Sequence, residues 1–590
     1  MPLCDGGGSN SPFRYPTIKG ETMRPLGSHR VKKFSIYSSL IFALLISSTF
    51  TSRATTDDSE ERFRVDMKLE DGWHGVNFDN TGKDWGLPSH IYAKPNQNSG
   101  SGQLNFASAV CKSLEDSECL KPGLNLIIRA LFDKCESETD LDCIVSFAAT
   151  KPDGTKLIGE LKEVLASRHS FSGDKKQGIP DGSGATIWTI KDGATSLDYA
   201  LIAGVELSVN GAAESRAAGN DSRVNRFDMK YALQPVEMVN STDYKEVVMA
   251  VEDGILTGNS SSLEQGCFVA AEGRCALTKA FDTSINFEMT VRLSKGVPGW
   301  MVGRVNNFKL GSKVLPAQNG FEMTVSGNPS KVGAVITWSK WKDTTAEIRS
   351  LYEQGVDGRK WRPGKPASEL LIKDGEARTI LTYLNEAGER SIKHFNAWLP
   401  LISDKASAMR TRWNLQSVED QSGQYSQCSA GKGLVGVINS NASVYSDGPP
   451  TFNKTTGSLE YKVAAPHYTS DGTTKHLGSY DLTMRSDVAR CLYGFSDAPI
   501  SATVSIESDG GTNVISTESV SEKDGLIRLR AAGFTFSSPT IKVKLSQQGV
   551  GSSSTVAPKV SKKTITCVKG ATKKKVTATN PKCPKGFKKA

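Results

Sequence analysis

The sequence predicts a mainly β protein with helical insertions (α+β): two antiparallel β-sandwich-like domains plus a small disulfide-closed C-terminal hairpin. Three observations carry this. From about 185 to 340 the runs ATIWTI, YALIAGVELSV, RFDMKYAL, INFEMTVRL and GFEMTVSG alternate with period two and are separated by Gly, Asn or Pro, as in an antiparallel sandwich or barrel. From 434 to 548 a second series follows, from LVGVIN through YDLTMRS to TIKVKLS, with enough strands for one more sandwich. At the C-terminus two short β-capable pieces, TITCVKG and KKKVTATN, are bracketed by Cys567 and Cys583.

The 590 residues are long enough for about three or four folded units. With 38% hydrophobic and 23% charged residues the chain can build packed cores, which excludes wholesale disorder. A single apolar run excludes a polytopic membrane protein.

Residues 1–54 read as a mis-extended N-terminus followed by a signal peptide. RPLGSHRVKK (24–33) is basic, FSIYSSLIFALLISSTF (34–50) is apolar but short for a membrane span, and Ser52-Arg53-Ala54 has the small-x-small shape of a cleavage site. An uncleaved anchor is the alternative. The segment before Met23 has no role in a signal, so translation is expected to start at Met23.

Residues 55–180 are expected to hold disulfide-braced helices. LNLIIRALFDKC (124–135) places Leu124, Ile127, Ile128 and Leu131 at helical spacing, and GELKEVLASR (159–168) reads as a second short helix. In the β-rich range 181–342 the string FEMTV occurs at 287–291 and 321–325, which predicts equivalent strands with Phe, Met and Val on the buried face. Alternation through ITWSKW puts Trp338 and Trp341 on opposite faces. The range 343–427 returns to helix: DTTAEIRSLYEQG has start and stop signals, and ASELLIKDGEARTILTYLNEAGERSIKHFNAWLPLI reads as a longer helix that Pro400 ends or kinks. The second sandwich covers 428–548, a Gly/Ser linker 549–560, and a Lys-rich tail module 561–590.

Ten cysteines follow the signal: Cys111, Cys119, Cys135, Cys143, Cys267, Cys275, Cys428, Cys491, Cys567 and Cys583. The absence of any CxxC argues against a zinc ribbon or a thioredoxin-like site, and the even number fits disulfides in an oxidising compartment. Pairing neighbours in sequence is the simplest of the possible connectivities.

Charge is unevenly placed. Residues 559–590 carry eleven Lys and no acid, and residues 1–54 carry a net +5; removing both from the whole-chain +9 leaves −7 for 55–558. A mildly acidic body does not suit a nucleic-acid partner, whose contacts need a basic folded face. The tail suits an anionic cell-wall polymer or an acidic membrane surface, with Lys562, Lys563, Lys573, Lys574 and Lys575 as the contacting cations and the Cys567–Cys583 bridge holding their geometry.

No motif assigns a reaction, and no catalytic residue, metal or cofactor is expected. GKGLVG (431–436) lacks the strand–turn–helix setting of a dinucleotide site and reads as a turn. NFDNTGKD (77–84) fails calcium-loop spacing and also reads as a turn. His467 and His476 flank a turn as a weak metal pair or, preferably, as solvated loop histidines. Trp73, Trp85, Trp338, Trp341 and Trp361 are candidate sugar-stacking rings, though core packing is the commoner use. A pair of carboxylates, all that glycoside hydrolysis requires, is the strongest enzyme alternative.

The tail, as TITCVKG…KKVTATNPKCPKGFKK, resembles the C-terminal tails of a group of secreted actinobacterial proteins without an assigned activity. The stretches 437–452, 480–506 and 521–545, together with CKSLEDSECLKPGLN (111–125) and FNAWLPLISDKASAM (395–409), resemble the same group. The resemblance implies a large exported protein of a Gram-positive bacterium and transfers no catalytic residue. The expected function is therefore that of a secreted, extracellular or wall-associated protein: structural, adhesive or glycan-binding, held by its basic tail.

Overall fold

The computed structural model describes residues 58–65, 72–79, 87–95, 109–209, 224–246, 266–353, 388–508, 519–536 and 540–547. It also describes short stretches at 249–252, 255–258, 372–373, 376–377, 380–383, 511–515, 563–569, 572–578, 583 and 587–589. The signal, Met23, most of the NFDNTGKD loop, Trp85, Trp361, the 549–560 linker and Lys562 lie outside these residues.

The protein is mainly β, with short helices set between strands. In chain order the strands used below are β1 (Trp73–Phe78), β2 (His90–Pro95), β3 (Leu124–Leu131), β4 (Cys143–Thr150), β5 (Lys156–Val164), β6 (Thr186–Asp192), β7 (Thr195–Val209), β8 (Val224–Asn240), β9 (Asn286–Leu293), β10 (Gly299–Gly303), β11 (Gly320–Lys340) and β12 (Ala408–Val418). Eight of them close a ring of antiparallel pairings in the order β4–β5–β6–β7–β8–β12–β11–β9 and back to β4.

The ring is filled by side chains. Phe147 stacks on Phe287 at 6.2 Å between centroids and meets Tyr199 edge-on at 5.4 Å and Trp188 at 6.4 Å. Gly159 of β5 permits this: a Cβ there would lie 2.6 Å from Phe147 Cδ1. Each fully buried aromatic of this kind contributes about 1.5–3 kcal/mol over its exposed state. The two FEMTV strings lie on neighbouring strands. Met289 faces Val325, Val291 faces Met323, and the central threonines meet through Thr290 Oγ1 and Thr324 Oγ1 at 2.9 Å. Phe287, Met289, Val291, Met323 and Val325 are buried as the repeat predicted, while Phe321 is half-buried.

The two helices expected before residue 170 are strands. LNLIIRAL forms β3, buried from Asn125 to Leu131, and GELKEV lies within β5. A strand covered on both faces is apolar almost throughout, so its leucines and isoleucines fall at helical spacing by coincidence. Two disulfides, Cys111–Cys119 and Cys135–Cys143, therefore brace strand ends rather than helices.

The range 343–427 is also less helical than its pattern. Ala346–Glu353 forms a helix, its Ile348 N–H donating to Thr345 Oγ1 at 3.2 Å. Glu389–Trp398 forms another, which passes into a 3₁₀ turn at Leu399–Ile402 holding Pro400. In the expected long helix, however, Ile372–Lys373 pairs antiparallel with Glu376–Ala377. Residues 408–418, placed in the helical range, form strand β12, which is buried throughout Ala408–Leu415, its arginines included.

Strand β10 pairs with β12 on one side and runs parallel to β13 (Leu434–Ser440) on the other. From there a second layered unit follows, built from β14 (Ser458–Ala464), β15 (Leu477–Arg485), β16 (Ile500–Ser508), β17 (Leu526–Thr535) and β18 (Thr540–Gln547). The β13–β15–β17 sheet faces the β14–β18–β16 sheet across a core that includes Tyr480, Leu482, Leu529, Tyr461, Val504 and Val543. Cys428–Cys491 ties two short helices beside it. Gly431 and Gly433 have positive φ of 70° and 67° and lead into β13, so GKGLVG is a turn entering a strand.

A five-residue helix, α1 (Asp58–Arg62), docks on β12. Residues 408–412 of β12 pair with β11 on one side only, and the other side keeps its backbone donors. Side chains of α1 take them: Glu60 accepts from Met409 N–H, and Glu61 accepts from the N–H and hydroxyl of Thr411. Arg412 Nη1 donates to Glu61 at 2.8 Å and Arg412 Nη2 to Asp79 at 3.3 Å, while Arg410 Nη2 reaches Asp79 at 2.7 Å and the Phe63 carbonyl at 2.7 Å. All four of these charged side chains are at least nine-tenths buried. Burial pushes the Asp79 carboxyl up, but Arg410 and Arg412 outweigh it and hold the group below the usual carboxylate range.

Candidate functional site

The tail folds as a three-stranded sheet with β19 (Lys563–Lys569) between β20 (Thr572–Ala578) and β21 (Lys588–Lys589). Cys567 at its centre is fully buried and bonded to Cys583. Such a sheet has almost no core, so the bridge is its main brace. Cys567 lies opposite Lys574 on one side and Lys589 on the other; Val568 lies opposite Lys573 and Lys588; Thr566 lies opposite Lys575. Directly opposed residues share a face. Lys574 and Lys589 therefore flank the disulfide on one face, and Lys573, Lys575 and Lys588 occupy the other. All five are exposed. The structure thus groups three of the five sequence-predicted lysines and adds Lys588 and Lys589. Lys563 lies in β19, its side chain outside the described set, as is Lys562.

In the body a polar row crosses four neighbouring strands. His90 of β2 lies opposite Arg129 of β3, Arg129 opposite Glu206 of β7, and Glu206 opposite Asp228 of β8. Lys230, two residues further along β8, donates to Glu206 at 3.3 Å and lies opposite Gln416 of β12. This row forms part of the wall of a cavity of about 440 Å³, completed by Glu419 and Asp447 from two loops. His90 and Arg129 are buried in it, with His90 Nδ1 2.8 Å from the Pro88 carbonyl oxygen and the His90 and Tyr92 rings stacked at 5.7 Å. Burial, reinforced by Arg129, lowers the His90 pKa to about 4, so the ring is neutral at physiological pH. No sequence signal marked this row, because its members come from four separate strands.

The tryptophans divide. Trp73 faces Lys340 and Trp338 faces Gly75 across the β1–β11 pair, so both half-buried rings share one face. Trp341 is buried, 4.5 Å from the His74 ring. The histidine pair is not a pair of solvated loop residues. The His476 N–H donates to the His467 carbonyl at 2.8 Å, and each ring has its own partner. His467 hydrogen-bonds Asp404, and His476 is buried 5.0 Å from Phe536, its pKa lowered to about 4 by burial. Asp79 of the NFDNTGKD loop serves the α1 ion pairs described above.

Five disulfides join the ten cysteines in sequential pairs. Among the described residues no helix is long and apolar enough to cross a membrane, and no cluster of three or more His, Cys, Asp or Glu could hold a metal ion. No protein-family model matches the chain. A stretch of 105 residues, 18% of the chain, is 39% identical to part of Halomucin of Haloquadratum walsbyi, of which the match spans 1%.

Proposed function

We propose that the chain is an exported protein held at a cell surface or cell wall by its C-terminal hairpin, the body serving a structural, adhesive or glycan-binding role. The observation that carries this reading is the tail's construction: five exposed ammonium groups arranged on both faces of a minimal sheet around one buried disulfide. Anionic wall polymers or acidic lipid headgroups are its natural partners, each Lys contributing on the order of 1 kcal/mol at low salt. The five disulfides support an oxidising, extracytoplasmic setting. The test is co-sedimentation with isolated cell walls over a salt series, comparing the mature chain with a K573Q/K574Q/K575Q variant. Salt-sensitive binding lost in the variant supports the reading; equal binding by both sinks it.

A second reading, a secreted carboxylate-dependent glycoside hydrolase, has one observation in its favour: Glu206 and Asp228 face each other in the wall of the cavity. Release of reducing ends from cell-wall polysaccharide, abolished by Asp228→Asn, would establish it.

A further inference from the structure

We infer that the cavity between the β2–β3–β7–β8 row and the 419–421 and 447–448 loops binds a neutral saccharide of about disaccharide size. The inference deepens the glycan-binding part of the proposal above and is independent of the tail. It rests on the size of the cavity and on the mixture of hydrogen-bond donors and acceptors in its lining. At about 440 Å³ the cavity is in the range that encloses a small ligand. Its charged lining is four carboxylates, Glu206, Asp228, Glu419 and Asp447, against two cations, Arg129 and Lys230. An anionic ligand such as a phosphate or a uronate would meet net repulsion. A divalent cation would need a cluster of ligating groups, and none of three or more occurs among the described residues. An apolar ligand would strip water from charged groups without replacing it.

A polyhydroxylated ring meets the remaining requirements. Each hydroxyl both donates and accepts, so it can donate to the Glu206 or Asp228 carboxylate and accept from Lys230 or Arg129. Arg129, buried at 3% exposure, brings a cation to the cavity wall. Half-buried Tyr92 brings an aromatic ring to the same wall. Arg129, Glu206, Asp228 and Lys230 are set side by side by the sheet register, which reduces the ordering needed when the ligand arrives.

The test is a titration of the whole mature chain with cellobiose, chitobiose and mannobiose, and with digalacturonate and inorganic phosphate as anionic probes. At least one neutral disaccharide is expected to bind with Kd of about 1 mM or tighter. Its affinity should be unchanged between low and high salt and weakened about tenfold or more by Glu206→Gln or by Asp228→Asn. Thermal midpoints of both variants serve as the folding control. No neutral disaccharide binding at about 10 mM would overturn the inference. So would affinity unaffected by both substitutions, or digalacturonate binding preferred over the neutral sugars. The K573Q/K574Q/K575Q variant should bind the disaccharide normally. Loss of wall retention with intact sugar binding, or the reverse, then shows which of the two readings has failed.

Discussion

The α1–β12 contact and the C-terminal hairpin are both built on charge, under opposite conditions. In the first, Glu61, Asp79, Arg410 and Arg412 are withdrawn from water and each has a fixed partner. In the second, Lys573, Lys574, Lys575, Lys588 and Lys589 stand in solvent on a three-stranded sheet around the buried Cys567. A buried charge network resists salt but tolerates no missing member, because the orphaned partner keeps its desolvation cost. An exposed cluster loses strength gradually with each charge removed and with each increase in salt. The body is thus an all-or-none object and the tail a graded one.

Acidification should separate them most widely. His74, His90, His394 and His476 are buried in the body, and burial lowers each pKa to about 4. In the unfolded chain they titrate near their ordinary 6.5. Between about pH 6.5 and 4 the unfolded state therefore binds more protons, and body stability falls as pH falls, by up to about 3 kcal/mol per histidine over the window. Lysines keep their charge throughout. Denaturant midpoints at pH 7, 5.5 and 4.5 should drop steeply; a flat series would break the contrast.

Next in size is Arg412→Ala, which strands Glu61 and weakens the hold on Asp79. We expect a loss of about 3–5 kcal/mol, little altered by salt. A loss below about 1 kcal/mol would place these charges in the surface class instead. Cys567→Ser should leave body unfolding unchanged while removing about 3 kcal/mol of loop-closure stabilisation from the hairpin and weakening retention on cell walls. Unchanged retention would show that the lysines act without their sheet. Smallest is a single Lys574→Gln, about 1 kcal/mol in binding at low salt and fading as salt rises. A loss that persisted in high salt would mean that Lys574 makes a specific contact.

The legibility of these regions in the sequence follows from how far apart their parts lie. The tail could be read because its cysteines, strands and lysines are contiguous. Paired cysteines, the FEMTV strands and the second sandwich were readable for the same reason, each being a local pattern. Strands β3 and β12 were not, since burial on both faces erases the alternation that marks a strand. Arg410 and Arg412 look like surface residues until Glu61 and Asp79 are seen to meet them. The cavity was least legible, because His90, Arg129, Glu206 and Asp228 become neighbours only through the register of four strands.

The docking of α1 also imposes an order in time. Glu61 meets Thr411 across 350 residues of chain. At roughly 5–20 residues per second, synthesis delivers α1 about 20–70 s before the strand edge it will close. Throughout that interval the segment waits without its partner, and its acidic side chains keep it hydrated and unattractive to other open strands. The helix is made before the edge it will close, and the carboxylates that keep it soluble while it waits are the ones that later seal that edge.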